Sequence, residues 1–527
     1  MFVKEVIGVE LIRKNIHMDR VKCKAATQVT MEEDINISDQ KPDAFRLITE
    51  KGRIMVEEVR PVTDNVVVRG KLCYSILYLS DEEDKNLCCM EGTIPFEERV
   101  HMEKVTANDT VSIKNQLEDL SVGLINSRKM SIRTLFSMTL SVDELYDEDA
   151  VVEIVGSGPM EVLKKPMNVT VLTVDTKDIY RIKEEVELPS GMPNMFDLIW
   201  KDMKLNAMEF RLMEGKVAIQ GELSIFFIYE GEGDDSPVRY YEVTRPVNGM
   251  MDVSGCDEKM VSDITYDIEH EDVEIRPDFD GEERILGIDI VLNMNIKLME
   301  TQTLQVITDI YGIMQDVEPV LRQGSCRSLL MKNTGKMKVT SVLKTGDKNP
   351  KILQMCHVDG YLIKESEQAV ENGIEVSGVI SVKAIYITGD DEAPYACITG
   401  DIPFEYKLDI QGMNEECFYQ VNACIEQLNA NMSDGEEIEI KAVLCFQAMA
   451  FEGEKEPMLK DIAIQEADME KRGNLPGMVV YIAKENDHIW NVGKKYYVPM
   501  KSIRDVNHLT KDELNSGDKI LVVKEML

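Results

Sequence analysis

Three stretches of the chain alternate apolar and polar residues with a period of two: VVVRGKLCYSILY at 66–78, VAIQGELSIFFIY at 217–229 and IEVSGVISVKAIY at 374–386. Such alternation predicts strands with one buried face, because successive side chains on a strand point to opposite sides. Each stretch carries a glycine on the buried face and a tyrosine eight residues on: Gly70 and Tyr78, Gly221 and Tyr229, Gly378 and Tyr386. A proline follows each tyrosine by seventeen residues (Pro95, Pro246, Pro403), and another precedes each glycine by twenty-eight (Pro42, Pro193, Pro350). The frame recurs without slippage at a period near 150 residues, which is the size of a domain and not of a solenoid unit. The buried glycines predict a bend, a bulge or a close backbone approach.

The flanking pattern completes each repeat. DRVKCKAATQVTMEEDINI, residues 19–37, reads as two strands. After Pro42, Pro193 and Pro350 the spacing of Phe45 with Ile48, and of Phe196 with Ile199 and Trp200, suits one face of a short helix started by the proline and docked on the sheet. The acidic stretches LSDEEDKN, EGEGDDSP and ITGDDEAP read as hairpin turns. A second alternating strand closes each repeat, with Ile132 to Val142, Leu286 to Leu298 and Ile438 to Phe446 on its apolar face. Many strands and little helix predict a mainly β chain of three tandem β-sandwich-like repeats. Their expected extents are 1–157, 158–304 and 305–464, followed by a charged linker at 465–476 and a small domain at 477–527.

Composition sharpens this picture. The formal net charge is −37 over 527 residues. The last fifty residues hold eight Lys/Arg against seven Asp/Glu, so the acidic excess lies wholly in the repeats. An acidic surface opposes nucleic acid and anionic membranes as partners. The eleven cysteines include no CxxC and no framework spacing, the N-terminus lacks the apolar core of a signal peptide, and no apolar run is long enough for a membrane helix. These features predict a cytoplasmic protein without membrane insertion.

Candidate chemistry is sparse. There is no G-x-S-x-G elbow, Walker loop or G-x-G-x-x-G, and the six histidines show no metal-ligand spacing. Cys356 and His357 are adjacent, and neighbours on a regular strand face opposite ways. No catalytic residue, cofactor or metal site is expected, so the chain reads as a non-enzyme.

Residues 478–523 resemble a LysM domain through YIAKENDHIWNVGKKYYV, IRDVNHL and LNSGDKILVV, matching at Asp487, Ile489, Trp490, Val492, Tyr496, Asn507, Leu514, Gly517 and Ile520. Asn486 stands where the pattern has Gly, His488 where it has Thr, and Gly493 where it has Ala, and no proline closes the segment. The resemblance implies a strand–helix–helix–strand domain whose shallow ligand groove lies between two loops, here Asn486, Asp487 and His488 on one side and Asn507, His508, Leu509 and Thr510 on the other. Asp487 also suits a helix N-cap, and Trp490 a packing role within the small domain. The repeats resemble the SPOCS domain of spore-coat proteins through DRVKCKAATQV, INISDQKPDAFRLI, VRGKLCYSILYLSDEED and EGTIPFEERV. Three such domains followed by LysM is the layout of a clostridial family of coat-morphogenesis proteins. It implies a scaffold at the forespore surface in the mother cell, with a SpoIVA-like coat ATPase and other coat proteins as partners. A cell-wall protein that grips peptidoglycan, an N-acetylglucosamine-containing glycan, through LysM is the alternative.

Overall fold

A computed structural model describes residues 9–524 apart from 84, 157, 234–237, 347–349, 469, 471 and 473. Two of the expected acidic turns, and the boundary at 157, thus fall partly or wholly outside the described residues. The first repeat is built from β1 (Val9–Asn36), β2 (Ala44–Val62), β3 (Asn65–Ser80), β4 (Leu87–His101), β5 (Val111–Asn126) and β6 (Lys129–Gly156). They pair as two three-stranded antiparallel sheets, ordered β2-β3-β4 and β1-β6-β5. The second repeat repeats this with β7 (Met160–Glu187), β8 (Met195–Met213), β9 (Lys216–Gly231), β10 (Val238–Asp252), β11 (Val261–Pro277) and β12 (Glu283–Gly312). In the third, the outermost pair is split. A ribbon of β13 (Asp316–Gln323) and β20 (Pro457–Gln465) precedes and follows β14 (Cys326–Lys344), β15 (Ile352–Val370), β16 (Gly373–Thr388), β17 (Tyr395–Asp409), β18 (Phe418–Met432) and β19 (Glu437–Glu454). Residue 304 therefore lies within β12, which runs on to Gly312. Each repeat is a β-sandwich with its own core, filled in the first by Val66, Val68, Leu72 and Ile76 against Ile132, Phe136, Met138 and Leu140. The alternation in the sequence produced this: every second residue of both central strands faces the other sheet.

The recurrent frame has a direct structural meaning. The hydroxyl of Tyr78 donates to Pro42 O at 3.2 Å, Tyr229 to Pro193 O at 3.1 Å and Tyr386 to Pro350 O at 3.3 Å. Each tyrosine thus buries its ring in the core and satisfies its polar tip at the mouth of the preceding strand. Gly70, Gly221 and Gly378 each face a bulge on the strand before them, at Val56/Glu58, Asn206/Glu209 and Lys364/Ser366. A Cβ on Gly70 would collide with the backbone oxygen of Met55, and one on Gly378 with that of Ile363. On Gly221 the nearest obstacle is the Met208 thioether. Pro95, Pro246 and Pro403 stand opposite the residue after each glycine, on strands that form the edge of their three-stranded sheet, where a missing N–H is tolerated.

Two expectations are corrected. The segment 19–37 is one strand, continuous in β1 with a bulge between Val21 and Cys23. The stretches after Pro42, Pro193 and Pro350 are not helices; they open β2, β8 and β15. Each carries two bulges three residues apart, at Phe45 and Ile48, Phe196 and Ile199, and Leu353 and Cys356. A bulge adds one residue and resets the alternation, so a pair of bulges spaced by three imitates one helical face. The backbone pairs with β3, β9 and β16 instead, since without it those long central strands would lose one hydrogen-bonded neighbour.

The repeats close into a ring. Their first sheets meet at an apolar hub of Ile48 and Leu77 from the first repeat, Trp200, Phe226 and Ile228 from the second, and Cys356 and Ile385 from the third. Below it, Lys51 pairs with Asp202, Lys204 with Asp359, and Lys383 with Glu50 at 2.8 Å, linking first to second, second to third and third to first. The long strands then leave the sandwiches as three ribbons, β1/β6, β7/β12 and β13/β20. Val151, Ile307, Ile310, Val317 and Leu459 pack between them to form a stalk. At its neck Asp19 of the first repeat receives Lys297 of the second at 2.8 Å and also pairs with Arg327 of the third. At about 3.3 Å per residue, the 30 residues of β12 span roughly 100 Å from the outer end of the ring to the stalk tip.

Candidate recognition surface

The C-terminal domain sits on the stalk tip. It consists of β21 (Met478–Ile482), α1 (Ile489–Tyr496), α2 (Met500–Asn507) and β22 (Lys519–Val523), in the expected order. Its core is Ala483, Ile489, Val492, Val498, Ile503, Leu514, Ile520 and Val522.

The turn into α1 is shaped by Asn486, which adopts the left-handed region at φ 64°. Asparagine is the side chain that tolerates this best after glycine, which accounts for its place there. That turn aims Asp487 backwards: its Oδ2 accepts from the Tyr481 hydroxyl at 2.6 Å and from Lys484 N at 2.7 Å. The Tyr481 hydrogen bond, then the Lys484 amide, hold the Asp487 carboxyl below the usual carboxylate range. Asp487 is thus not the helix cap. That role belongs to His488, whose Nδ1 accepts from Trp490 N at 3.1 Å.

The two loops expected to flank a groove are brought together. His488 forms a bridge with Glu513, Ile489 N donates to Asp512 O at 2.9 Å, and Leu514 N donates to Asp487 O at 2.9 Å. Arg504 fastens the second loop through both oxygens of Asp512, at 2.6 and 2.8 Å. Asn486, His508 and Thr510 are exposed there, and Asp487, His488 and Leu509 half-buried. His508 is the left-handed C-cap of α2 at φ 53°. Asn507 does a different job: its side-chain amide donates to Ile503 O and Leu521 O and its Oδ1 accepts from Leu521 N, at 2.7–2.8 Å. It clamps α2 to β22 and is a structural residue.

The contacts that hold this domain on the stalk were not foreseen in the sequence. Trp490 packs between domains: its Nε1–H donates to Asp309 Oδ2 at 2.8 Å, and its ring meets Tyr311 edge-on at 4.8 Å. Lys494 Nζ also reaches Asp309, at 2.6 and 2.8 Å. The buried Tyr311 hydroxyl donates to Val498 O at 2.8 Å. Alanine at position 493 would put its Cβ into that hydroxyl and 2.9 Å from Val498 O. The departure of Gly493 from the LysM pattern therefore follows from docking. The N-terminus of α2 has no side-chain cap of its own. Glu161 of β7 serves it, receiving the Met500 backbone N–H. Burial nevertheless raises the Glu161 carboxyl, against that bond and Arg504. Within 465–476, read as a linker, Arg472 is buried, donates to Gln315 O and Asp316 Oδ1 at 2.8 Å, and stacks over Tyr497 at 4.0 Å. Asp309 and Tyr311 gave no sequence signal, because both lie in what reads as an ordinary strand end.

The ring hub holds the other concentration of charge. Burial would raise the Asp202 carboxyl, but Lys51, His357 and Lys204 outweigh it and hold the carboxyl far below its ordinary range. His357 stacks on Phe226 at 3.9 Å and lies 3.0 Å from Asp202 Oδ2; burial alone would lower its pKa, and Asp202 and Glu242 raise it. Lys51, Asp202 and Asp359 each stand nine residues after a frame proline, the one sequence sign that could have found them. These charges pair with one another across repeats and so fasten the repeats together. All eleven cysteines are free thiols, and no helix among the described residues is long and apolar enough to cross a membrane.

The model of the SipL, SPOCS domain family matches the chain three times, at residues 43–125, 194–276 and 351–433. Each match begins one residue after a frame proline and covers the strands from β2 to β5 or their counterparts. No curated protein and no solved structure matches the chain.

Proposed function

The chain is a SipL-like protein with three SPOCS domains, and from this premise we propose that it is a non-catalytic scaffold of spore envelope assembly. In this reading it works in the mother-cell cytoplasm and tethers the coat to the forespore surface through protein contacts. The LysM-like C-terminal domain is its recognition module, and a SpoIVA-like coat ATPase is the partner. One observation carries the reading: Asp309, Tyr311 and Glu161 fix the C-terminal domain on the stalk tip while Asn486, His508 and Thr510 of its loops stay exposed. A domain held in this way can transmit a mechanical hold from its ligand to the ring, as a tether requires.

The test is a binding assay of the full chain against the purified coat ATPase and, separately, against chitin and muropeptide oligomers. It is run with and without the double substitution His508→Ala, Thr510→Ala, which touches exposed loop positions only. The expected result is ATPase binding that the substitutions weaken. Tight glycan binding with no binding to the ATPase overturns the reading in favour of a wall-binding protein. A fluorescent fusion in sporulating cells should label a shell around the forespore.

A further inference from the structure

The outer end of the ring, about 100 Å along β12 from the C-terminal domain, exposes large apolar side chains at one equivalent position in all three repeats. These are the first-bulge residues: Phe45 is 42 % exposed, Phe196 69 % and Leu353 63 %. A fourth, Phe279, stands wholly in solvent on the turn between β11 and β12 at the same end. Phe196, Phe279 and Leu353 have most of their surface in water, so packing does not require them to be apolar. Three copies that have diverged at most surface positions nevertheless keep Phe, Phe and Leu at this one.

Carboxylates surround each of them. The Asp81 amide bonds Asp43 O beside Phe45, and exposed Glu82 and Glu83 follow in the same turn. Exposed Asp197 adjoins Phe196, and Glu232 N bonds Asn194 O close by. Asp278 and Asp280 flank Phe279, and Ile352, next to Leu353, pairs with Thr388 at the start of the turn bearing exposed Asp390, Asp391 and Glu392. Several cations at this end already serve neighbours. Lys85 covers the Phe45 ring and pairs with Asp81, Arg128 pairs with Asp39 and Asp43, Lys351 pairs with Glu436, and Arg284 donates to backbone oxygens.

We propose that this end of the ring is a docking face for a basic protein surface, with Phe45, Phe196, Phe279 and Leu353 as the apolar anchors inserted into it. Charge selects the occupant. A second copy of this chain would bring the same carboxylates against these and be repelled, and an anionic membrane likewise. A partner rich in Lys and Arg gains long-range attraction, while the anchors supply the buried contacts on which affinity depends. The protein then has two working ends, one at the loops of the C-terminal domain and one here.

The full chain is titrated against a fluorescent peptide of alternating lysine and leucine, with a lysine-only peptide of equal charge as control, at about 150 mM salt, where exposed charges are screened beyond roughly 8 Å. The face is altered in two ways: Phe45→Ser, Phe196→Ser, Phe279→Ser and Leu353→Ser together, and Glu82→Lys, Glu83→Lys and Asp391→Lys together. The expected result is at least tenfold weaker binding of the mixed peptide by either variant, and at least tenfold weaker binding of the lysine-only peptide by the parent chain. Unchanged thermal midpoints show that the altered residues are not structural. The His508→Ala, Thr510→Ala chain should bind the peptide as the parent does, so failure of the C-terminal reading leaves this outcome standing. Equal binding by the apolar variant, no binding of the mixed peptide, or a sedimentation-detected dimer that the apolar variant abolishes would each overturn the proposal.

Discussion

Replacing Gly493 with alanine tests the docking of the C-terminal domain directly. In an isolated helix this change is favourable, because alanine loses less backbone freedom than glycine, by about 0.5–1 kcal/mol. Here the new methyl enters the space of the Tyr311 hydroxyl and comes within 2.9 Å of Val498 O. Tyr311 is fully buried, so its ring cannot swing into solvent, and the hydroxyl must move off Val498 O, to which it donates at 2.8 Å. Overpacking of this kind costs about 1–3 kcal/mol, and a buried hydrogen bond broken on both sides about 1–3 kcal/mol more. The helix gain is common to docked and undocked states and cancels. Docking should weaken by about 2–6 kcal/mol, roughly 30- to 20,000-fold. The chain has two tryptophans; in a Trp200→Phe background, Trp490 alone reports. Gly493→Ala should red-shift its emission, raise its acrylamide quenching and move its urea transition to lower concentration. Tyr311→Phe, which removes the obstructing hydroxyl, should recover much of the loss in the Gly493→Ala chain although it is harmful alone. A Trp490 transition that stays put or rises in Gly493→Ala, with no rescue by Tyr311→Phe, would refute the reasoning.

Three further outcomes follow from the same geometry. Gly378→Ala drives a Cβ into backbone at Ile363 O, whereas Gly221→Ala meets the flexible Met208 side chain first, with backbone no nearer than 3.3 Å. The first should lower the urea midpoint by the equivalent of about 1–3 kcal/mol and the second by less than about 1; equal effects would show that the bulge backbone yields as easily as a thioether. Asp202→Ala leaves the buried His357 and the half-buried Lys51 without their carboxylate, and should cost about 3–5 kcal/mol in the unfolding transition read by Trp200, which lies in the same hub. For pH, the raised pKa of His357 adds stability that is whole below its ordinary value of about 6.5 and fades as pH rises through the folded value, while the lowered pKa of Asp202 adds stability present above about 3.9 and lost as pH falls below it. His357→Gln should therefore flatten the decline in hub stability above about pH 6.5 and leave the acid limb in place, as equilibrium denaturation at a series of pH values would read.

Much of this molecule was legible in the chain. Alternation in residues 66–78, 217–229 and 374–386 determined that each repeat is a sheet sandwich with those residues at its centre, because burial on one face follows from a period of two. The frame of glycine, tyrosine and proline marked positions where local chemistry is demanding: a glycine against a bulged backbone, a tyrosine whose hydroxyl needs an acceptor, a proline on an edge. Order within the C-terminal domain was equally plain, and Asn486 announced its own left-handed turn. Local spacing misled where a tertiary partner changed the count. The pair Phe45 and Ile48 looked helical because two bulges shifted the register, and only the hydrogen bonds offered by β3 decide between the two. Asp487 looked like a cap because the sequence does not show that Tyr481 and Lys484 claim its carboxylate first. Tertiary structure alone decided the ring, the stalk and the docked tip. Lys51 with Asp202, Asp19 with Arg327 and Tyr311 with Gly493 are separated by 150 to more than 300 residues or lie in different domains. No periodicity records such a pairing, since each partner's own neighbourhood fixes only which way it faces, and what it meets there depends on how the three finished sandwiches pack.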